Sequence, residues 1–225
     1  MQKISKNLQR VNSRLTQFSV SESHHASLIN FHDYTYHDQL TAEDRFKSYQ
    51  LRKEIYVDEY QWSTDYKDKI EVDKFDAFST VAAVKNPSGD VVATLRSTDA
   101  VFDWMATDCY NEIFKPVTED LKTADINEVS RLCVSKHYRN TLINDELSVF
   151  DLLLSGMLLR NKSENVRGTV IVTHAAMYYL LKKKGFDIRM LTKPVRMEDG
   201  CKITAFYVDI NRSYQTFLPL NTLMA

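Results

Sequence analysis

The stretch TVIVTHAAMYYLLKKKGF, residues 169–186, predicts a buried strand that passes directly into a helix. Its first five residues are all β-branched, which favours a strand. The helical pattern that starts at Ala175 ends before Gly185, a residue that commonly closes helices. Working outward, residues 147–159 predict a largely apolar helix that is buried on several faces. Residues 126–135 predict a strand before that helix, and residues 187–191 and 202–210 predict two strands after Gly185.

The preceding part of the chain predicts a helix and a hairpin. Residues 41–60 follow a helical pattern with Thr41 as N-cap, and residues 78–85 and 91–97 are strand-like, joined by the turn sequence NPSGD. Residues 101–122 indicate a loop-rich segment with one helical turn. An antiparallel first half that passes into alternating strands and helices predicts a mixed-sheet, three-layer α/β fold.

This order of elements resembles the GNAT type of N-acyltransferase, and residues 169–186 are similar to its late strand–helix unit. The resemblance implies an α/β/α fold with a mixed, splayed central sheet. We expect residues 1–40 to be an N-terminal extension of unclear role, residues 41–215 to be a single GNAT-like acyltransferase domain, and residues 216–225 to be a C-terminal tail.

Composition excludes several other classes of protein. Charged residues make up 26% and hydrophobic residues 44% of the 225, which is typical of a globular domain. No apolar run is long enough to span a membrane, and the start of the chain lacks a secretory signal, so we expect a cytoplasmic protein. A net charge of −1 without an aromatic-interleaved basic motif argues against nucleic-acid binding.

Polar and aromatic side chains follow one another in a spaced order between residues 52 and 131. Paired arginines and carboxylates on neighbouring elements can hold a zwitterionic small molecule, and a Trp–Tyr pair can cover a purine or a sulfonium. The residues of this ordered set are Arg52, Tyr56, Trp62, Asp73, Asp76, Arg96, Glu128 and Arg131.

The ordered set resembles the acyl-homoserine lactone synthases, the autoinducer synthases of bacterial quorum sensing, over residues 45–210. The resemblance implies two substrates, S-adenosylmethionine and an acyl chain carried as a thioester on acyl carrier protein. The amine attacks the thioester, and the carboxylate of the same amino acid then displaces methylthioadenosine and closes the lactone. It implies neither a cofactor nor a metal, with S-adenosylmethionine serving as substrate.

The resemblance also assigns roles to the substrate-binding residues. Arg52, Tyr56 and Trp62 belong to a region that folds over S-adenosylmethionine, and Tyr56 stands where the family usually has Phe. Asp73, Asp76 and Arg96 are expected to form the polar network that orders this region.

Glu128 is the expected general base, acting through a water, because an ammonium must lose a proton before it can attack. Arg131 is the second expected catalytic residue: it would hold that carboxylate in place and keep it ionised. A regular strand would place Glu128 and Arg131 on opposite faces. The sequence therefore predicts a bulge or a splay in this strand.

The acyl chain is expected between the long helix and the strand at residues 169–173. Ile171 falls where family members that select 3-oxo chains place a hydroxyl residue, which implies an unsubstituted chain. Plain core packing remains the alternative for the helix residues. The expected acyl pocket is formed by Phe150, Leu153, Met157, Ile171 and Thr173, and Phe114 is a further expected substrate contact.

The lack of a glycine-rich loop predicts the type of acyl donor. Enzymes of this fold that use acetyl-CoA bind pyrophosphate on a glycine-rich loop, whereas residues 135–146, SKHYRNTLINDE, contain no glycine. This favours a carrier-protein donor. A face of basic residues could dock the carrier protein, although basic residues at a solvated helix C-terminus would show the same pattern. The basic residues of this face are Arg160, Lys162, Lys182, Lys183 and Lys184.

Two other functions fit parts of the pattern. A long-chain N-acyl amino acid synthase shares the GNAT fold and a similar Glu-Val-Ser-Arg strand. A catalytically silent relative could bind only acyl carrier protein or an acyl ligand. His24, His25, His32 and His37 lack metal-ligand spacing and a cysteine partner, so no metal site is expected.

Overall fold

A computed structural model describes residues 18–23, 26–62, 69–143, 145, 147–197, 200–217, 219–220 and 223. Within them, ten strands form one sheet in the spatial order β1-β2-β3-β4-β5-β6-β9-β12-β10, with β11 paired to β12, while β7 and β8 pair separately. Neighbours in the large sheet are antiparallel except the parallel pair β6 and β9. The strands are β1 Phe18–Ser23, β2 Ala26–Phe31, β3 Tyr34–His37, β4 Thr80–Lys85, β5 Val91–Asp99, β6 Ile126–Val134, β7 Leu142–Ile143, β8 Leu147–Ser148, β9 Gly168–His174, β10 Ile188–Met190, β11 Val195–Arg196 and β12 Lys202–Asp209.

Helices cover both faces of the sheet. They are α1 Ala42–Arg52, α2 Met105–Asp108, α3 Asn111–Thr118, α4 Val149–Ser163, α5 Ala175–Lys183 and α6 Ile210–Thr216. α1 packs over β4, β5 and β6, and α4 packs over β2 to β5. Cys133 belongs to the cluster beneath α1 and its neighbour Val134 to the main core around α4. Since consecutive strand residues face opposite ways, the two helices lie on opposite faces, and the fold is three-layered.

Local sequence explains why α4 can lie so close to the sheet. Ser148 and Asp151 form a capping box that fixes the start of the helix. Gly156 passes directly over β3, where a Cβ would overlap the ring of Tyr36. A glycine is therefore required at this crossing, and the apolar side chains around it join the main core.

From residue 41 to residue 210 most element types follow the sequence prediction, and the predicted mixed α/β fold is confirmed. The predicted strand at residues 169–173 is β9, and the predicted helix at residues 147–159 is α4, with ends displaced by a few residues. The predicted loop-rich segment at residues 101–122 instead contains both α2 and α3.

The predicted domain boundaries are wrong at both ends. β1, β2 and β3 precede residue 41 yet continue the main sheet, and Ile29 and Tyr36 are fully buried in the main core. Residues 1–17 of the expected extension lie outside the described part of the chain. At the other end, Phe217, Leu220 and Leu223 are buried in the same core, so the predicted tail contributes packing.

Across the described residues, none of the helices combines the length and the apolar character needed to cross a bilayer.

Candidate active site

The first group of site residues lies where an α-helix passes into a π-helix. After α1 the chain continues as a π-helix, Lys53–Glu59. π-Helical turns are rare and frequently occur at functional sites. Arg52 lies at the junction, Tyr56 lies on the wider turns, and Trp62 follows just beyond them.

Three carboxylates follow on a short segment before β4. Asp73 is the N-cap of the 3-10 helix Lys74–Ala77, and one of its oxygens accepts a hydrogen bond from the Phe75 N–H at 2.9 Å. Asp76 in turn accepts from the Asp73 N–H at 2.9 Å. These reciprocal bonds fix both carboxylates. The third carboxylate, Glu71, is 2% exposed and lies two residues before Asp73.

Arg52 is fully buried and joins two of these carboxylates. Its Nη1 and Nη2 donate to the two oxygens of Asp76 at 2.7 and 3.0 Å, and its Nε donates to Glu71 at 2.5 Å. Paired bonds of this kind are strong and geometrically specific. Burial raises the pKa of Asp76, but the hydrogen bonds and charge of Arg52 outweigh it, so this pKa lies below its usual range.

Arg96 and Arg131 meet on the third carboxylate. Arg96 Nη1 donates to Asp73 Oδ1 at 2.5 Å and lies 3.2 Å from Asp76 Oδ1. Arg131 Nη2 donates to Asp73 Oδ2 at 2.7 Å, and its Nε donates to Glu71 at 3.0 Å. Three guanidinium groups and three carboxylates thus form one continuous network.

A methionine side chain closes the network on one side. Arg96 Nη2 and Arg131 Nη1 both donate to Met105 Sδ, at 2.8 and 3.2 Å. A thioether is a weak acceptor. Two charged donors are therefore directed at a position that a stronger acceptor could occupy.

A bulge in β6 brings Arg131 to this network. Thr94 pairs with Cys133, but Arg96 pairs with Ser130, so β6 uses one more residue than β5 over this span. Arg131 adopts a positive φ of 52° at the bulge. The extra residue turns Arg131 toward the side that Arg96 already faces, and the predicted irregularity is confirmed.

The same strand also separates from its other neighbour. β6 and β9 pair only from Ile126 with Gly168 to Val129 with Ile171. Beyond that point β6 continues alongside β5, and β9 continues alongside β12 as far as His174. The two strands therefore splay apart next to the network, as the sequence predicted.

Glu128 lies at the start of this opening and is 1% exposed. Its Oε2 accepts from the Met105 N–H at 2.9 Å, and its Oε1 accepts from the Ala106 N–H at 2.8 Å. Burial raises the pKa of Glu128, and these hydrogen bonds together with the charges of Arg96 and Arg131 only partly oppose it. The pKa therefore lies above its usual value of 4.5.

The expected role of Arg131 is wrong in one respect. It was expected to hold Glu128, but among the described residues its hydrogen bonds go to Glu71, Asp73 and Met105. Backbone N–H groups at the start of α2 hold Glu128 instead, because the helix supplies donors without hydrogen-bond partners there. Arg131 acts on Glu128 only through its charge.

Stacked aromatic rings flank the network. Tyr56 Oη donates to the Leu132 carbonyl at 2.8 Å, and its ring stacks on Trp62 at a centroid distance of 5.3 Å. The Arg131 guanidinium lies over the Tyr56 ring at 5.7 Å. Trp62 also stacks on His174 at 4.9 Å and stays 45% exposed.

A model of the autoinducer synthase family matches residues 33–217, which is most of the chain. The chain belongs to the autoinducer synthase family. The acyl-homoserine-lactone synthase of Pectobacterium carotovorum subsp. carotovorum is 22% identical over 185 residues, which cover 82% of this chain and 80% of that relative. As a member of this family, the chain is an acyltransferase.

Solved structures of the family share its fold. TofI, in a ternary complex with an inhibitor and MTA, is 17% identical with a TM-score of 0.67, over 84% of this chain and 96% of TofI. BjaI, a CoA-dependent acyl-homoserine lactone synthase with SAM and isopentyl-CoA, is 20% identical with a TM-score of 0.63, over 80% of each chain. At these identities the likeness concerns the fold.

The structure brings most of the predicted autoinducer synthase site together. Arg52, Asp73, Asp76, Arg96 and Arg131 form the network, with Glu128, Tyr56 and Trp62 around it. Phe114 is fully buried in a core cluster with Ala106, Ile203 and Ala205. Its substrate contact stays a prediction.

The expected acyl-pocket residues lie mostly inside the core. Leu153, Met157 and Ile171 belong to the main cluster, and Phe150 packs against it. Thr173 is half-buried and pairs with Thr204 of β12. These contacts agree with the core-packing alternative, and an acyl pocket at this place stays a prediction.

One residue of the expected docking face for acyl carrier protein is buried. Arg160 is only 9% exposed, because it pairs with Glu164 at 3.0 Å and lies 3.9 Å from Asp38. Its assignment to a docking surface is therefore wrong. Lys184 is half-buried and pairs with Asp151 at 2.5 Å. The side chains of Lys162, Lys182 and Lys183 are exposed.

Sequence reasoning missed three residues of the site. Glu71 was overlooked, because the set already contained three carboxylates, Asp73, Asp76 and Glu128, for its three arginines. Met105 and His174 carried no recognisable signal, because each acts through a contact between distant segments.

The four histidines between residues 24 and 37 lack metal-ligand spacing. His24 and His25 lie outside the described residues, and in the part of the chain that the structure covers no group of three His, Cys, Asp or Glu side chains could hold a metal ion.

Proposed function

We propose that this acyltransferase makes an N-acyl-homoserine lactone for quorum sensing, from S-adenosylmethionine and an acyl chain on acyl carrier protein, with release of methylthioadenosine. The observation that carries the proposal is the buried arginine–carboxylate network beside Glu128, at the opening between β6 and β9. It supplies a polar site for an amino acid next to a cleft for an acyl arm.

The charge of the site supports this substrate. Three arginines face four carboxylates, counting Glu128, which leaves one net negative charge. S-Adenosylmethionine carries a sulfonium, an ammonium and a carboxylate, so it has one net positive charge. The two are complementary, and opposite charges attract strongly where water is excluded.

The contacts of the Met105 thioether indicate where the substrate carboxylate would bind. Arg96 and Arg131 both donate to this weak acceptor, and a carboxylate at the same place would accept charge-assisted bonds from both. Arg131 and Asp73 are the more exposed members of the network, with side chains 21% and 16% exposed. The amino-acid end of the substrate would therefore enter from their side.

Glu128 is the proposed general base. It takes a proton from the substrate ammonium through a water, and the free amine then attacks the thioester carbonyl. The pantetheine thiolate leaves and takes up the second proton that the nitrogen loses as the amide forms. The substrate carboxylate then attacks the carbon next to the sulfonium and displaces methylthioadenosine, which closes the ring. The raised pKa of Glu128 makes it a better proton acceptor than an exposed carboxylate.

We expect the acid limb of the kcat/KM–pH profile to lie above the pH at which an exposed glutamate titrates. Glu128 must be deprotonated to act, and burial raises its pKa, so activity is lost on acidification at a higher pH. Initial rates between pH 4.5 and 8 measure this limb. A profile that falls only near the usual glutamate pKa would contradict the assignment, and circular dichroism at each pH would separate titration from unfolding.

The start of α4 supports carrier protein over CoA as donor. In this fold, acetyl-CoA pyrophosphate binds the free N–H groups at a helix N-terminus. Here that place is taken by Asp151, which accepts from the Ser148 N–H at 3.1 Å and from the Ser148 hydroxyl at 2.6 Å. This cap occupies the helix start, with Asp151 also paired to Lys184 at 2.5 Å, and the preceding loop contains no glycine.

Product analysis tests the proposal. The purified protein is incubated with S-adenosylmethionine and one acyl chain, supplied on acyl carrier protein or on CoA, and products are identified by mass spectrometry. We expect lactone and methylthioadenosine, with kcat/KM higher for the carrier-protein donor by about tenfold or more, since docking adds binding energy. Acyl amino acids without methylthioadenosine would contradict the reaction.

Two lysine substitutions test the donor separately. Reversing the charges of the exposed Lys182 and Lys183 to Glu should lower kcat/KM with acyl carrier protein and leave the CoA reaction unchanged. Lys115→Glu on α3 is the matched control, because Lys115 is also exposed. Equal loss with both donors would reject docking at α5.

A further inference from the structure

Side chains span the opening between β6 and β9, in the region where the two strands no longer form backbone hydrogen bonds with each other. Pairing between the two strands ends at Val129 and Ile171. Past this point β6 bears Leu132, and β9 ends at His174. A ligand arm that enters the splay must pass between these two positions.

Three rings span this distance in a continuous stack. Tyr56 is tied to β6 through its 2.8 Å hydrogen bond to the Leu132 carbonyl. Its ring stacks on Trp62 at 5.3 Å with planes 28° apart, and Trp62 stacks on His174 at 4.9 Å with planes 16° apart. The stack therefore runs from β6 across to β9.

The His174 end is the weaker end of this bridge. Tyr56 is anchored by a hydrogen bond, whereas His174 is the N-cap residue of α5 and makes no side-chain capping bond to it. Trp62 is 45% exposed, and its other ring contacts, with Tyr56 at 5.3 Å and Tyr60 at 5.0 Å, lie on its own segment of the chain. The Trp62–His174 contact is where the bridge can open with least loss of other interactions.

We propose that His174 controls access of the acyl donor: its stack with Trp62 closes the splay between β6 and β9, and the acyl-thioester arm enters when the rings separate. This inference rests on the proposed function, since it takes an acyl thioester as the ligand of the splay. The closed stack competes with donor binding. An aromatic pair of this kind changes donor affinity by about two- to tenfold.

Two substitutions at His174 should change donor affinity in opposite directions. His174→Ala removes the competing ring, so the Kd of a non-hydrolysable thioether analogue of an acyl-phosphopantetheine falls by about two- to tenfold. His174→Phe strengthens the stack and raises the same Kd. The affinity for S-adenosylmethionine stays unchanged in both. A merely structural role would weaken binding in both variants.

Tryptophan emission provides a direct readout, because the chain has two tryptophans and the other, Trp104, is fully buried. Binding of the analogue should shift the emission of the wild-type protein and leave that of His174→Ala nearly constant. Tyr179→Ala is the matched control, since this ring lies on α5 and is 63% exposed.

The outcomes separate this inference from the reaction. Suppose that no lactone forms, but the analogue binds most tightly to His174→Ala and least tightly to His174→Phe. The access role then stands and the proposed function fails. If lactone forms while both variants bind the analogue as the wild type does, the access role is overturned. A change confined to S-adenosylmethionine affinity would also overturn it and would assign His174 to the nucleoside site.

Discussion

Replacing Glu128 by glutamine lowers kcat by about two or more orders of magnitude while the protein keeps its fold. The amide cannot accept a proton, so the substrate ammonium remains charged and cannot attack the thioester. Among the described residues, Glu128 is the buried carboxylate at the head of the β6–β9 opening whose oxygens are held by backbone N–H groups. Its replacement should therefore act on the chemical step.

The measurement is methylthioadenosine release at saturating concentrations of both substrates. KM for S-adenosylmethionine should change little, because the arginine network remains intact. The matched control is Glu112→Gln, an exposed glutamate on α3, which should retain wild-type kcat. Full activity in Glu128→Gln would remove this residue from the mechanism.

A stability effect accompanies that substitution and has to be measured beside it. Glutamine can accept from only one of the Met105 and Ala106 N–H groups, and its own NH₂ group faces the other. An unsatisfied buried donor costs about 1–3 kcal/mol. Thermal unfolding of both proteins fixes a temperature at which each is folded, and the rates are compared there.

The sequence predicts the regular elements because their signals are local. The β-branched run before Ala175 and the glycine at residue 185 lie within single elements, and β9 and α5 follow them. The β6 irregularity was also predictable, since Glu128 and Arg131 could share a site only if the strand broke its alternation. Here a chemical requirement predicted a backbone feature.

The rest depends on contacts between distant segments. The family resemblance assigns Arg131 to Glu128, yet the bulge turns the Arg131 side chain to Glu71 and Asp73, about sixty residues away. The backbone N–H groups that hold Glu128 carry no side-chain signature. The strands before residue 41 were missed because their sequence has no clean period, although Tyr36 completes the core against Gly156.

Replacing Arg52 by leucine should lower the free energy of unfolding at pH 7 by about 3–5 kcal/mol. The substitution leaves Glu71 and Asp76 buried without their principal cation, and burial of an uncompensated charge is strongly unfavourable. Arg96 and Arg131 remain near these carboxylates and offset part of the loss. Urea unfolding at constant ionic strength measures the difference.

The pH dependence of this loss identifies its cause. In the wild type the pKa of Asp76 is depressed, so its stabilisation is present above the unfolded-state pKa and is lost as pH falls through the folded one. Without Arg52, burial raises that pKa, and protonation then favours the folded state. The difference in free energy of unfolding between the two proteins should therefore shrink from pH 7 toward pH 5.

Arg167→Leu is the control, because Arg167 and its partner Asp125 are both solvent-exposed and such pairs contribute about 0–1 kcal/mol. A loss in Arg52→Leu that is constant with pH would point to lost packing rather than to the buried carboxylates.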